Sequence, residues 1–447
     1  MTATEETEPL IPTTPTTSAG KSQRVTYHSI SFEVNERDRL HDGSPENSFG
    51  LKPISSAPTG VNFNSEISTN RITYTWSDVN VYSTKTDRIW DKLTFRPRKL
   101  VAQKHILKDV CGAAYPGELL VIMGASGAGK TTLLNALTFR TTRGVSASGL
   151  MAANGRRISP GVLTSRMAYV QQDDLFIGTL TVTEHLMFQA TVRMNRHIPR
   201  QQRIKRVNEV IDELALSKCR NTTIGIPGKV KGLSGGEMKR LSFASEVLTD
   251  PSLMFCDEPT SGLDSFMAHQ VVSILKALAA SGKTIVVTLH QPSSELFALF
   301  DKILLMAEGR VAFMGTAAQA CSFFKTLGAA CPSNYNPADY FVQMLAVVPG
   351  RELACRHAIK TTCDTFRSSE YGRQIVTEAE TVHGEFESSL KYRSKNPNRS
   401  PYKASWCEQF RAVLWRSWLS VIKEPILIKV RLLQTVVRFP PIQTQTA

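Results

Sequence analysis

The residues with the clearest chemical use are Gly124-Ala125-Ser126-Gly127-Ala128-Gly129-Lys130-Thr131, which lie between an apolar run and a helix-forming stretch starting at Thr132. Glycines at this spacing let successive backbone amides turn inward around phosphate oxygens, and a helix N-terminus behind them adds partial positive charge. Lys130 is expected to reach the outer phosphates of a nucleotide, and the Thr131 hydroxyl to ligate Mg²⁺. Leu253-Met254-Phe255-Cys256-Asp257-Glu258 is an apolar run ending in two carboxylates. Asp257 suits a metal position held through water, and Glu258 suits a general base that polarises the attacking water.

Three further segments belong with these. Leu233-Ser234-Gly235-Gly236-Glu237 opens a helix with a serine and glycine amides at its N-terminus. That is a second phosphate site which the chain's own phosphate loop does not need, so its ligand is expected on another subunit. Tyr169-Val170-Gln171-Gln172 and Val287-Thr288-Leu289-His290 each end an apolar run in a polar side chain, the place where nucleotides sit in open α/β sheets.

The elements that must position these residues follow from hydrophobic patterning. Leu119–Met123 is apolar throughout, as a strand buried on both faces should be. Strand-like runs recur at 253–256 and 284–288 with a helix over 265–280 between them, so strands and helices alternate and the core is α/β. Arg71–Trp76 and Asp78–Tyr82 read as a strand pair at a sheet edge, and Ile106–Val110 as a further strand. Two helical patterns fill 181–216, the second beginning after Pro199.

The motifs occur in the order of the ATP-binding cassette superfamily, which the chain resembles over about 74–346. That resemblance implies a P-loop NTPase fold with an antiparallel β subdomain, a helical subdomain at about 180–225, and Mg-ATP as cofactor and substrate. It also implies site roles: Gly124–Thr132 bind nucleotide, Tyr82 stacks on adenine, and Thr131, Gln172 and Asp257 serve the metal. Glu258, His290 and Gln172 act in catalysis, Leu233–Glu237 contact the partner's ATP, and Asp264 bridges the dimer. Tyr115-Pro116-Gly117-Glu118, Gln171-Gln172-Asp173-Asp174, His290-Gln291-Pro292-Ser293 and Asn336-Pro337-Ala338-Asp339 are similar to G-subfamily half-transporters, in particular those that move insect eye-pigment precursors. A partner half-transporter of the Scarlet or Brown type, or a second copy, is then expected. Met238 departs from that subfamily, which usually has Arg or Gln there.

The chain has 447 residues, 42% of them apolar and 21% charged, enough for a sizeable core. Residues 1–70 are rich in Ser, Thr and Pro and are expected to be a disordered tail. Within it, Glu6-Thr7-Glu8-Pro9-Leu10-Ile11 resembles an acidic dileucine sorting signal. Residues 71–346 form the cassette, 347–403 a linker, and 404–435 an amphipathic connecting helix in which Trp, Phe and Leu alternate with Arg411, Arg416 and Lys423. The alternative for that helix is packing on the soluble body. The eight cysteines lack paired metal-site spacing and read as reduced thiols.

No run of about eighteen apolar residues is present, so no transmembrane segment is expected. Subfamily chains continue past Leu433-Gln434-Thr435 into a membrane helix, whereas this one reads on through 436–447 as an atypical tail. The expectation is a cassette cut off before its transmembrane domain, at the cytoplasmic face of a membrane, unable to transport and reaching small-molecule substrate only through the missing domain. A net charge of +14 suits an anionic membrane surface. Two alternatives are a non-transporting isoform competing for the partner, and a soluble cassette ATPase acting on nucleic acid. The latter generally carries two cassettes or an inserted coiled coil, and neither is here, so no nucleic-acid partner is expected.

Overall fold

The computed structural model describes residues 71–83, 103–141, 144–225, 231–384, 403–424, 429–430 and 433–435. The expected tail over 1–70, with its dileucine-like segment, and the atypical residues 436–447 lie outside the described residues.

Among the described residues, ten strands form two sheets. A four-stranded sheet has the order β2-β1-β4-β5, built from β1 (Tyr74–Ser83), β2 (Lys104–Ala114), β4 (Val145–Ala153) and β5 (Arg156–Arg157). All its pairings are antiparallel. A six-stranded sheet has the order β10-β9-β3-β8-β7-β6, from β3 (Leu119–Gly124), β6 (Met167–Val170), β7 (Leu253–Asp257), β8 (Thr284–Thr288), β9 (Lys302–Ala307) and β10 (Arg310–Gly315). It is parallel except at the β9–β10 pair.

Every residue of β3, β7 and β8 is buried, which is why these strands read as unbroken apolar runs. Parallel register aligns their carboxyl ends: Ile122 and Asp257 both pair with Thr288, and Val170 pairs with Cys256. The segments that leave those ends therefore meet at one edge of the sheet.

The expected strand pair at 71–82 is one strand. The pairing shifts between Trp76 and Val79, and Asp78 takes the left-handed conformation, φ 50°. A bulge thus interrupts the alternation without turning the chain, and β1 is interior to its sheet, between β2 and β4. Tyr74 and Trp76 are fully buried beneath it. Gly112 makes room for the indole, since a Cβ there would stand 2.4 Å from Trp76 Cζ2. The Tyr74 hydroxyl donates to the Leu137 carbonyl at 2.6 Å, joining the antiparallel sheet to helix α1 (Lys130–Leu137).

The other helices are α2 (Pro160–Arg166), α3 (Val182–Arg193), α4 (Arg200–Glu213), α5 (Gly235–Val247), α6 (Ser265–Ala280), α7 (Ser294–Phe297), α8 (Ala317–Thr326) and α9 (Pro337–Met344), followed by α10 (Glu352–Ser368), α11 (Glu370–Gly384) and α12 (Trp406–Lys423). Residues 347–403 were expected to link domains, yet α10 and α11 occupy the described part of that stretch. Phe366 of α10 packs on Phe313 of β10 with ring centroids 5.5 Å apart, and Glu378 of α11 accepts from the Tyr115 hydroxyl. Few apolar residues suffice to seat these polar helices, with Ile359, Cys363 and Phe366 as the buried stripe of α10.

Helix α12 starts with a capping box between Ser405 and Glu408. It lies on α3, where Thr179 and Ser420 hydroxyls bond at 2.9 Å, the Arg416 guanidinium stacks on Phe188 at 4.6 Å, and Lys423 donates to Glu184. Its other face leaves Trp406, Phe410, Leu414 and Trp418 exposed.

Candidate nucleotide site

The loop between β3 and α1 needs two glycines for steric reasons. Gly124 and Gly129 have φ 154° and 105°. A Cβ on Gly124 would lie 2.3 Å from the Met306 carbonyl oxygen, and one on Gly129 would lie 2.7 Å from Leu107 Cδ2. The two ends of the loop are thus pressed against β9 and β2, with no space for a side chain at Gly124 or Gly129.

Lys130 is buried, and its ammonium donates to the carbonyls of Gly124 at 3.0 Å and Ala125 at 3.4 Å. Burial lowers its pKa below the ordinary lysine value, while Glu258 and Asp257 oppose that shift. A cation held by neutral carbonyls in a pocket of amides is arranged to receive an anion.

Asp257 ends β7 nearby. Its Oδ1 accepts from the Thr131 hydroxyl at 3.2 Å and from Thr288 at 2.7 Å, and its Oδ2 from the Tyr169 hydroxyl at 3.5 Å. Burial, reinforced by Asp257, pushes the Tyr169 phenol well above its usual pKa, so it remains a donor. Tyr169 also donates to Asn135 Oδ1 at 3.1 Å, and the Arg140 guanidinium stacks on its ring at 4.4 Å. The next residue, Glu258, has φ 42°, and its amide donates to Thr288 Oγ1 at 2.8 Å. The Gln172 amide donates to Glu258 Oε2 at 3.0 Å.

The structure therefore brings together Lys130, Thr131, Gln172, Asp257 and Glu258. His290 is joined to the group through a cavity of about 640 Å³ that it lines with Glu258, Ser261, Gly262 and Gln291. Tyr82 stands apart in the antiparallel sheet, stacked on His105 with centroids 4.3 Å apart. Ser234 caps α5: its hydroxyl accepts from the Glu237 amide at 3.3 Å, and the Glu237 carboxylate accepts from Ser234 N–H at 2.9 Å. Gly235 and Gly236 follow it, and Gly236 lies against Met267, whose Sδ is 2.7 Å from where a Cβ would be. Asp264 caps α6 by accepting from the Met267 amide at 2.8 Å. Among the described residues, no hydrogen bond or ion pair joins Ser234–Glu237 to the phosphate loop.

Sequence reasoning passed over Thr288, Tyr169 and Asn135 as site residues. The available signal for Thr288 was a threonine closing an aliphatic strand opposite a strand that closes in Asp257.

The oxygen set of Thr131 and Asp257 fits a hard cation. Among the described residues no group of three or more His, Cys, Asp or Glu could hold a metal, so phosphate oxygens and water would have to complete the shell, as is usual for Mg²⁺.

Residues 107–261 match the family described as ABC transporter, and residues 290–416 the family described as ABC-2 type transporter. The white protein of Drosophila melanogaster is 57% identical over 376 residues, covering 81% of this chain and 54% of that protein. The white protein of Ceratitis capitata is 52% identical over 431 residues, covering 93% of this chain and 62% of that protein. The scarlet protein of D. melanogaster is 41% identical over 335 residues, covering 74% and 50% respectively. The chain spans little more than half the length of these relatives.

The second family match overturns the expectation of a chain cut off before its transmembrane domain, because it lays a membrane-transporter family over 290–416. That expectation rested on the lack of an apolar run of about eighteen residues, which Arg411 and Arg416 interrupt within the matched stretch. Among the described residues no helix is long and apolar enough to cross a membrane. With the phosphate loop, the paired carboxylates and both family matches in place, the fold is that of an ABC ATPase, a P-loop NTPase, and the sequence groups this chain with the White-like ABC transporters.

Proposed function

We propose that this chain binds and hydrolyses Mg-ATP as the motor of a half-transporter that moves pigment precursors, tryptophan or guanine derivatives or similar small molecules, across a membrane. The observation that carries the reading is the cluster of Lys130, Thr131, Gln172, Asp257 and Glu258 at one end of the parallel strands. In it Lys130 and the loop amides bind the outer phosphates of ATP, and Thr131 and Asp257 hold the metal, which when bound neutralises charge developing on the phosphates. Glu258, oriented by Gln172 and by its own anchored amide, takes the proton of the attacking water. His290 faces the same cavity and contacts the terminal phosphate, and Tyr82 stacks on adenine.

Ser234, Gly236 and their neighbours serve nucleotide held by a second cassette, and Asp264 lies at the contact between the two. The partner is a Scarlet- or Brown-like half-transporter, in keeping with the similarity to the scarlet protein, or a second copy. The membrane is met at its cytoplasmic face, where α12 presents exposed Trp406 and Trp418 beside basic side chains.

The test is ATP hydrolysis by the chain alone and with a Scarlet-like cassette, with two variants. Glu258→Gln should keep ATP binding, lose turnover and accumulate the closed pair, whereas Lys130→Ala should weaken ATP binding itself. Undiminished turnover in Glu258→Gln overturns the assignment of the base.

A further inference from the structure

One buried lysine lies outside the site and touches it. Lys239 stands just past the first turn of α5 and is 5% exposed. Its ammonium donates to the main-chain carbonyl of Gln172 at 2.5 Å and pairs with Asp174 Oδ2 at 3.0 Å. Both acceptors belong to the segment after β6, and the side chain of the same Gln172 holds Glu258. A continuous polar path therefore runs from the helix opened by Ser234-Gly235-Gly236, through Lys239 and the Gln172 backbone, to the Gln172 amide and Glu258.

We propose that Lys239 is a positioning residue that locks the Gln172 segment to helix α5, so that the state of the Ser234 phosphate site is transmitted to Glu258 of the same chain. The proposal rests on the ATPase reading for the roles of Ser234 and Glu258. Lysine suits the task because its ammonium offers three donors on a flexible stem, enough to serve a carbonyl and a carboxylate at once. Its stem leaves α5 while its head is fixed on the neighbouring segment, so displacement of the helix axis pulls on the Gln172 carbonyl. Asp174 neutralises the buried charge, and neither Lys239 nor Asp174 makes a hydrogen bond or ion pair with the phosphate loop among the described residues. The tether is thereby separable from nucleotide binding.

The experiment is hydrogen exchange on the full chain and on Lys239→Met, each paired with a Scarlet-like cassette, with and without ATP, reading this chain's peptides over 171–176 and 233–240 alongside the phosphate loop. In the parent chain ATP should protect all three segments. In Lys239→Met the phosphate loop should still be protected with ATP affinity within about twofold, 171–176 should exchange about fivefold faster, and the ATP-induced protection of 233–240 should vanish. A purely structural role would speed exchange in α5 as a whole and leave its response to ATP intact, and that result overturns the proposal. If the parent chain binds no ATP, the ATPase reading fails. The tether is then judged on nucleotide-free exchange of 171–176, and unchanged protection there in Lys239→Met refutes it.

Discussion

Thr288 offers the sharpest perturbation of the site. It is fully buried, donates to Asp257 Oδ1 at 2.7 Å and accepts the Glu258 amide at 2.8 Å. Thr288→Val keeps shape and strand propensity, so no cavity forms and the loss is confined to the hydroxyl. Removing a donor to a carboxylate costs about 1.5–3 kcal/mol, and stranding the Glu258 amide costs about 1–3 kcal/mol more. Together these predict destabilisation of about 3–5 kcal/mol, seen as a lower urea midpoint. Asp257 keeps its bond from Thr131 but loses its shortest one, and Glu258 loses the anchor that holds its backbone at positive φ. Turnover should therefore fall about tenfold or more while ATP affinity changes little. Thr288→Ser retains the hydroxyl and should recover most of both. A Thr288→Val chain that loses less than about 1 kcal/mol and turns over ATP at the parent rate would refute this account of how the carboxylates are held.

Three other outcomes are expected. Burial, with Arg416 and Arg193 close by, pushes the His185 pKa down from 6.5 to about 4. The unfolded chain thus takes up a proton that the folded chain refuses, and stability falls as pH drops from 6.5 towards 4, by up to about 3 kcal/mol. His185→Gln should flatten that part of the urea-midpoint profile. Tyr169→Phe removes the donor to Asp257 and Asn135, and it should lower turnover by about threefold to tenfold with the fold intact by circular dichroism. Replacing exposed Trp418 by Glu should weaken sedimentation with anionic vesicles, leaving ATP affinity unchanged, since that side chain is 65% exposed on the outer face of α12.

The legible parts of this chain were those where burial or backbone geometry dictates residue type. Strands β3, β7 and β8 are covered on both faces and allow only apolar side chains, so the residues ending them stood out. Gly124 and Gly129 were legible for the same reason, because nothing larger fits. The bulge at Asp78 was not: a left-handed residue inside a strand breaks alternation as a turn does. Helices α10 and α11 were hidden by their polarity, since three buried residues among many charged ones carry little hydrophobic signal. Thr288 was hidden because a threonine in a strand is explained by β propensity alone, and only the pairing with Asp257 reveals its hydroxyl as a support of the site.

Glu184 holds two posts at once. Its carboxylate accepts the Thr181 amide at 2.8 Å as part of the box that starts α3, and it receives the Lys423 ammonium from the end of α12. A load applied along α12 consequently reaches the first turn of α3 through Lys423, as well as its middle through Arg416 on Phe188. The first turn is where a helix frays most easily, because its amides lack intrahelical acceptors. Glu184 is thus a shared pin: the same carboxylate fixes where α3 starts and seats the end of α12, so a change at this one residue disturbs both helices.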